Sequence, residues 1–137
     1  MNGLEQIILN RVQCKNCGEV LTSYNRHDYK TCSCENQTMV DGGNEYQRYG
    51  GANLDLVDTS STIYLSEDHE MNRSAAHWGG RGKDGLQPLS YKSVADMSND
   101  HIINILLDMG GKIAPWMERI MDDEMLYRIN NNIIIND

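Results

Sequence analysis

The chain has 137 residues, 12 basic against 20 acidic, and a net charge of −8. That length fits one ordinary domain, or a small metal module fused to a second small unit. The acidic balance repels phosphate backbones and argues against nucleic acid as a partner. The longest apolar runs are three residues, as at 105–107 and 133–135, which excludes a transmembrane helix. Phe is absent, and seven Tyr with two Trp supply the aromatic bulk. Eight Met point to an adaptable core or contact surface. The opening residues carry neither a basic leader nor a long apolar core, so no signal peptide and a cytoplasmic location are expected.

Residues 5–13 predict an opening strand, with Ile7, Leu9 and Val12 available for burial. Cys14 and Cys17 then form a Cys-x-x-Cys pair closed by Gly18, and Cys32 and Cys34 form a Cys-x-Cys pair. All four cysteines of the chain lie in this window. A structural zinc ion takes four such thiolates in a closed tetrahedron, with no open position for water. Four thiolates leave such a site doubly negative, and Lys15 and Lys30 lie close enough in sequence to offset part of that charge. His27 is an alternative ligand, although four cysteines already satisfy the metal. Two disulfides would need an oxidising compartment, and a redox dithiol would need a neighbouring βαβ unit; neither is indicated.

Residues 19–24 and 29–32 read as strands around a polar turn at 25–28. Residues 38–40 and 45–49 read as a hairpin, with Asp41-Gly42-Gly43 supplying the positive φ angles of its turn. The first fifty residues are thus expected to be an antiparallel sheet clipped by metal. Gly50 and Gly51 mark a hinge or turn, 52–61 a loop, and 62–66 a short strand. Glu67, Asp68 and Glu70 form an acidic patch before a Gly-rich stretch at 78–85, and 87–93 is a further strand candidate.

The last third is helical. Ser98 suits an N-cap, and Ile102, Ile105, Leu106 and Met109 share one face of a helix ended by Gly110 and Gly111. Pro115 opens a second helix to about Arg128, with Ile113, Trp116, Met117, Ile120 and Met121 as its apolar stripe. The isoleucine triplet at 133–135 is a short added strand or a frayed end. It offers a route to homo-oligomers, but self-burial is the simpler reading.

Cys14, Cys17, Gly18, His27, Asp28, Tyr29, Cys32, Ser33, Cys34, Val40, Asp41, Gly42, Gly43, Tyr46 and Arg48 together resemble a small zinc-ribbon-like domain of unknown function found in bacteriophage and prophage proteins. The resemblance covers about the first fifty residues. The stretch 78–128 also resembles, more loosely, a recurring phage C-terminal module. The family brings no known activity, so the resemblance implies an origin and not a mechanism. A short intracellular phage protein would act as an accessory factor on host machinery or host defence.

Other constellations carry less. Asp68, His69, Asn72 and His77 echo a His-Asn-His nuclease, but their spacing is too compressed and the charge is wrong. A solvated acidic loop is the simpler reading. The segment GGRGKDG is no P-loop, because Asp84 follows Lys83. Arg73, His77, Arg81, Lys83 and Lys92 nevertheless make 73–92 locally basic, a candidate site for an anion such as a nucleotide phosphate. His101 in a first helical turn reads as structural.

The sequence therefore predicts an α+β protein. Residues 1–50 form an antiparallel zinc ribbon, and 51–137 a small sheet plus two antiparallel helices, the whole forming one compact unit. It predicts no enzymatic activity, Zn2+ held by Cys14, Cys17, Cys32 and Cys34, and action by binding a host or phage protein. A nucleotide-sequestering ligand binder is the second reading and a nucleic-acid-binding ribbon the third.

Overall fold

The computed structural model describes residues 5–137; residues 1–4, part of the stretch read as carrying no leader, lie outside the described residues. Among the described residues the architecture is α+β, with short antiparallel sheets and three α-helices. The chain divides into two compact units, residues 1–65 and 66–137.

The first unit is built on β1 (Ile7–Cys14). The strand is longer and more apolar than its neighbours, and it is buried on both faces over residues 7–10. It pairs antiparallel with β2 (Val20–Ser23), β6 (Val57–Asp58) and β7 (Ile63–Tyr64). Residues 52–61, expected as loop, contain a 3-10 turn at Leu54–Leu56 and then β6. The period-2 signal of a two-residue strand is too short to read. β3 (Lys30–Thr31), β4 (Met39–Asp41) and β5 (Arg48–Gly50) form a second sheet in that order. Residues 42–47 link β4 to β5, a longer connection than the tight Asp-Gly turn expected there. Val12, Cys14, Leu21, Cys32 and Val40 form one buried cluster with Cys34 packed against it, so three of the four cysteines belong to the apolar centre or its edge.

The second unit contains α1 (His69–Ala75), β8 (His77–Gly80), β9 (Ser90–Ser93), α2 (Asn99–Met109) and α3 (Pro115–Asn131). α1 corrects the expected acidic loop. Asp68 caps it, accepting hydrogen bonds from the amides of Glu70 and Met71. Glu70 in its first turn complements the helix dipole. α2 is capped by Ser98 and α3 has Pro115 at its start, both as the sequence predicts. The core joins Ala75, Ala76, Val94, Met97, Ile102, Ile105, Met117, Ile120 and Met121. The expected apolar face of α2 frays at its end, where Met109 is exposed.

The buried stripe of α3 does not stop at Met121. It continues through Glu124 and Arg128, which are 0% and 1% exposed. Glu124 survives there because three cationic or donor side chains converge on it. Arg73 makes two hydrogen bonds, Nε to Oε1 at 2.7 Å and Nη2 to Oε2 at 2.9 Å. Arg128 Nε donates to Oε2 at 2.7 Å, and His69 Nε2 lies 2.9 Å from Oε1. Arg128 spends its remaining donors on the carbonyls of Val94 and Ala95 and on Asn99 Oδ1. One carboxylate thus ties α1, α3 and the 3-10 turn at Val94–Asp96 together. Asn99 carries the chain of bonds onward. Its amide donates to the Ile135 carbonyl and its Oδ1 accepts the Ile135 amide, both at 2.9 Å. The tail is therefore neither a strand nor frayed: Ile133 and Ile135 are half-buried and Ile134 is exposed.

Burial alone would raise the pKa of Glu124, but the bonds from Arg73, Arg128 and His69 hold it below its ordinary value. A carboxylate depressed in the folded state contributes stability that is complete above its unfolded pKa, about 4.3, and lost as pH falls through the folded value. Glu124→Gln leaves two guanidinium groups without their counter-charge and is expected to cost about 3–5 kcal/mol at neutral pH. Both tryptophans, Trp78 and Trp116, lie in this unit, so urea unfolding followed by Trp fluorescence reports on it. The gap between wild type and variant should narrow as pH falls below about 4.

Candidate metal centre

β1 ends in Cys14 and the chain turns at once through residues 15–18. The amide of Gly18 donates to the Cys14 carbonyl at 2.7 Å, and Gly18 takes φ +81, which only glycine adopts freely. Cys17 lies within that turn. Cys32 follows β3, where its amide donates to Thr38, and Cys34 lies in the next turn, closed by a bond from the Gln37 amide to the Cys34 carbonyl. Two turns from distant stretches thereby bring four sulfurs together, all within 4.8 Å of one another.

The spacing is informative. Cys14 and Cys34 Sγ are 3.6 Å apart, and Cys32 and Cys34 Sγ 3.5 Å. A disulfide needs about 2.05 Å, and all four cysteines are free. Thiolates bound at about 2.3 Å to one tetrahedral ion sit about 3.8 Å apart. The donor set therefore fits a metal ion. His27 is exposed and lies outside the cluster. Lys30 is engaged elsewhere, donating to Asp28 Oδ2 at 2.9 Å and the Thr22 carbonyl at 3.1 Å.

Donors surround the sulfurs. Cys14 receives the Thr38 hydroxyl and the amides of Cys17 and Asn16. Cys34 receives the Asn16 carboxamide, at 3.4 Å, and the Asn36 amide. Cys17 receives the Glu19 amide. Asn36 Nδ2 donates to Thr38 Oγ1 at 2.7 Å, which leaves the Thr38 proton free to point at Cys14. Asn36, Thr38 and Cys14 are all buried.

The electrostatic result is uneven. The Thr38 hydroxyl, with the amides of Cys17 and Asn16, brings the Cys14 thiol down to about 6 despite its burial. The Asn16 carboxamide leads the lowering of Cys34. The Glu19 amide favours the Cys17 thiolate, but desolvation and the three neighbouring sulfurs outweigh it and push that thiol up to about 12. Negative charge placed on some of these sulfurs opposes charge on the rest. A divalent cation removes that conflict.

The other residues of the sequence motif tie the segment 23–28 to the loop at 41–48. Asp28 Oδ2 accepts the Tyr24 amide, and the Asp28 carbonyl accepts Ser23 Oγ. Ser23 Oγ in turn accepts the Gly43 amide. Arg48 Nη2 pairs with Asp41 Oδ2 at 2.9 Å, and Tyr46 Oη donates to the Arg26 carbonyl. Gly42 and Gly43 both have positive φ, and a Cβ there would collide with Tyr46 and with the Asn25 backbone. Asn10, buried on β1, donates to the carbonyls of Asp41, Gly43 and Tyr46 and so locks this loop.

The basic residues of 73–92 go to different places. Arg73 is held by Glu124. His77 Nδ1 lies 2.7 Å from the Ala75 carbonyl. Lys92 is exposed on β9, opposite Trp78. Arg81 and Lys83 line a hollow with Gly80, Gly82, His101, Asn104 and Asp137. His101 and Asn104 were not read as site residues, since one turn of a helix gives no sign of what loop it faces. Asn16, Asn36 and Thr38 were missed too; their signal is weak, being only small polar residues beside cysteines.

A domain of unknown function, DUF7695, is found at residues 6–51, the stretch that holds all four cysteines and the Asp-Gly-Gly loop. No curated protein and no solved structure matches the chain. No helix among the described residues is long and apolar enough to cross a membrane.

Thr38→Val keeps the volume at position 38 but removes the hydroxyl from Cys14. Loss of a group that orients a metal ligand typically costs 10–100-fold in affinity. Competition against a chromophoric chelator should show a loss of about that size.

Proposed function

We propose that Cys14, Cys17, Cys32 and Cys34 hold one structural zinc ion, forming a zinc ribbon, and that the protein acts without catalysis by binding another protein. Four thiolates saturate a tetrahedral ion, so no position is left for a reactive water. Thiolate donors favour zinc over hard cations, and a structural ion of this kind adds directly to folding free energy.

The observation that carries the partner reading is the outward face of α3. Leu126 and Ile129 lie three residues apart, hence on one helical face, and are 60% and 70% exposed. Leu107 on α2 and Ile134 in the tail are exposed further still. Ile129 and Ile134 line one hollow together, and contiguous apolar side chains left in water mark a contact surface. The charge around them is negative: residues 66–137 carry 12 acidic and 7 basic residues, a net of −5. A partner presenting apolar side chains among Lys and Arg fits that surface. The motif resemblance supplies a setting, a phage accessory factor that binds a host or phage protein in counter-defence or host takeover.

Three measurements test this. Reduced protein should contain one zinc per chain, and Cys14→Ser should lose both the metal and the fold of residues 5–65. Co2+ substituted for zinc should give the intense visible absorption of a tetrahedral sulfur site; a weak octahedral spectrum would sink the assignment. Capture from host lysate should recover a stoichiometric basic protein, and Leu126→Asp with Ile129→Asp should abolish that capture without unfolding the protein. Capture indifferent to both substitutions would remove α3 as the contact surface.

A further inference from the structure

We propose that the hollow between the end of β8, residues 81–83 and the first turns of α2 binds the phosphate group of a small, nucleotide-sized molecule, and that Asp137 is its built-in competitor. The site does not depend on the partner reading above, since the exposed face of α3 contributes none of its lining.

The hollow has a volume of about 310 Å³ and is lined by Gly80, Arg81, Gly82, Lys83, His101, Asn104 and Asp137. Its walls are set by the fold. The β8–β9 pairing ends at Gly80 opposite Ser90. Gly80 faces His101: a Cβ there would lie in ordinary van der Waals contact with the imidazole Cε1, at 3.9 Å. Gly82 takes φ +80, and the loop is closed by bonds from the Gly85 amide to the Gly82 carbonyl and from the Gln87 amide to the Arg81 carbonyl. Asp84, the nearby acid, is turned to the Leu86 amide at 2.8 Å. His101 and Asn104 are one turn apart on α2 and so face the hollow together.

An oxyanion already sits in this space. Asp137 Oδ2 lies 3.4 Å from Lys83 Nζ. Ser98 Oγ accepts the His101 amide and donates its proton to the Asp137 carboxylate. Ser98, Lys83 and His101 together hold that carboxyl below its usual range. The bonds between Asn99 and Ile135 fix the tail two residues earlier and deliver Asp137 to the spot. The hollow is therefore chemically competent for an oxyanion, and its own occupant shows where the oxygens go.

The occupant does not match the charge available. Arg81 and Lys83 bring two full positive charges and Asp137 one negative charge. A phosphate monoester, largely dianionic at neutral pH, matches the pair better than a single carboxylate does. The volume leaves room for the organic part of a nucleotide-sized molecule. Asp137 must leave for such a ligand to enter. The apparent affinity is then the intrinsic affinity reduced by the fraction of time the hollow is open.

The test is a titration of the full chain, followed by amide NMR, with inorganic phosphate, adenosine monophosphate and acetate as probes. Phosphate and adenosine monophosphate should move the amides of Gly80, Gly82, His101 and Asn104, the nucleotide binding about tenfold tighter than phosphate alone. Acetate, a monoanion, should be weaker than both. Arg81→Ala with Lys83→Ala, both exposed positions, should abolish the shifts and leave the rest of the spectrum unchanged. Asp137→Asn should tighten binding about tenfold if the tail fills the hollow nine-tenths of the time. Amides that stay still at saturating phosphate would overturn the proposal. So would acetate binding as well as phosphate, or an Asp137→Asn chain that binds no tighter than wild type.

Discussion

Four sulfurs held within 4.8 Å of one another are the constraint from which the first unit follows. The pairs come from different stretches of chain, one from the end of β1 and one from the turn after β3. The entropic cost of ordering those two turns falls on a unit whose apolar core is small, Val12, Leu21 and Val40 beside the sulfurs and Ile7, Ile8 and Leu9 further along β1. A core of that size rarely holds a small sheet by itself. Cys14 and Cys32 form part of that core, so anything bound between the sulfurs replaces contacts that larger apolar side chains would otherwise make. Hydrogen bonds to the sulfurs come from both turns. Asn16, in the first turn, reaches across to Cys34, and Thr38, next to the second, reaches back to Cys14. Each turn thus stabilises a ligand belonging to the other. The geometry of the cluster is defined by the chain on both sides.

The second unit solves a similar problem without sulfur. Its first helix, α1, has only seven residues. Such a helix is marginal alone and forms by docking. Arg73, projecting from α1, makes the two-pronged bond to Glu124 that docks it. Tyr127 adds to this, with its ring 4.6 Å from the Arg73 guanidinium and its hydroxyl donating to Glu70. A buried ion cluster seldom beats a well-packed apolar one in net stability, but it is directional. Leucines at these positions would let α1 rotate against α3. Arg73 and His69, both on α1 and both bonded to Glu124 on α3, do not.

How much of this is legible in the sequence depends on the range of the interaction. Ser98 and Pro115 act on their own helices, so caps and boundaries can be read locally. The cysteine pairs are legible because a metal demands a residue type at a spacing. Glu124 and Arg128 are harder. They continue the spacing of Met117, Ile120 and Met121, so the helical period places them on the buried face, yet their charge argues for solvent. Which signal wins is decided by Arg73 and His69, some fifty residues away. Nothing in the local pattern reports that pairing. The same limit applies to β6, two residues long, whose strand character comes entirely from β1. It also applies to α1, whose acidic start looks like a solvated loop until Asp68 is seen to cap it.

The Glu124 cluster also reaches the tail. Arg128 bonds Asn99, and Asn99 exchanges two hydrogen bonds with Ile135. The position of Asp137 over the basic hollow is thus inherited from a carboxylate buried at the opposite end of the chain of bonds. Asn99 is the weak link in that chain, being half-exposed and holding the tail by neutral bonds alone. Neutral hydrogen bonds of this sort are each worth about 1 kcal/mol, so the tail can release without disturbing Glu124. A rigid interior and a more weakly held segment 133–137 therefore coexist in one network, and the Asp137 side chain is the one that an incoming anion has to displace.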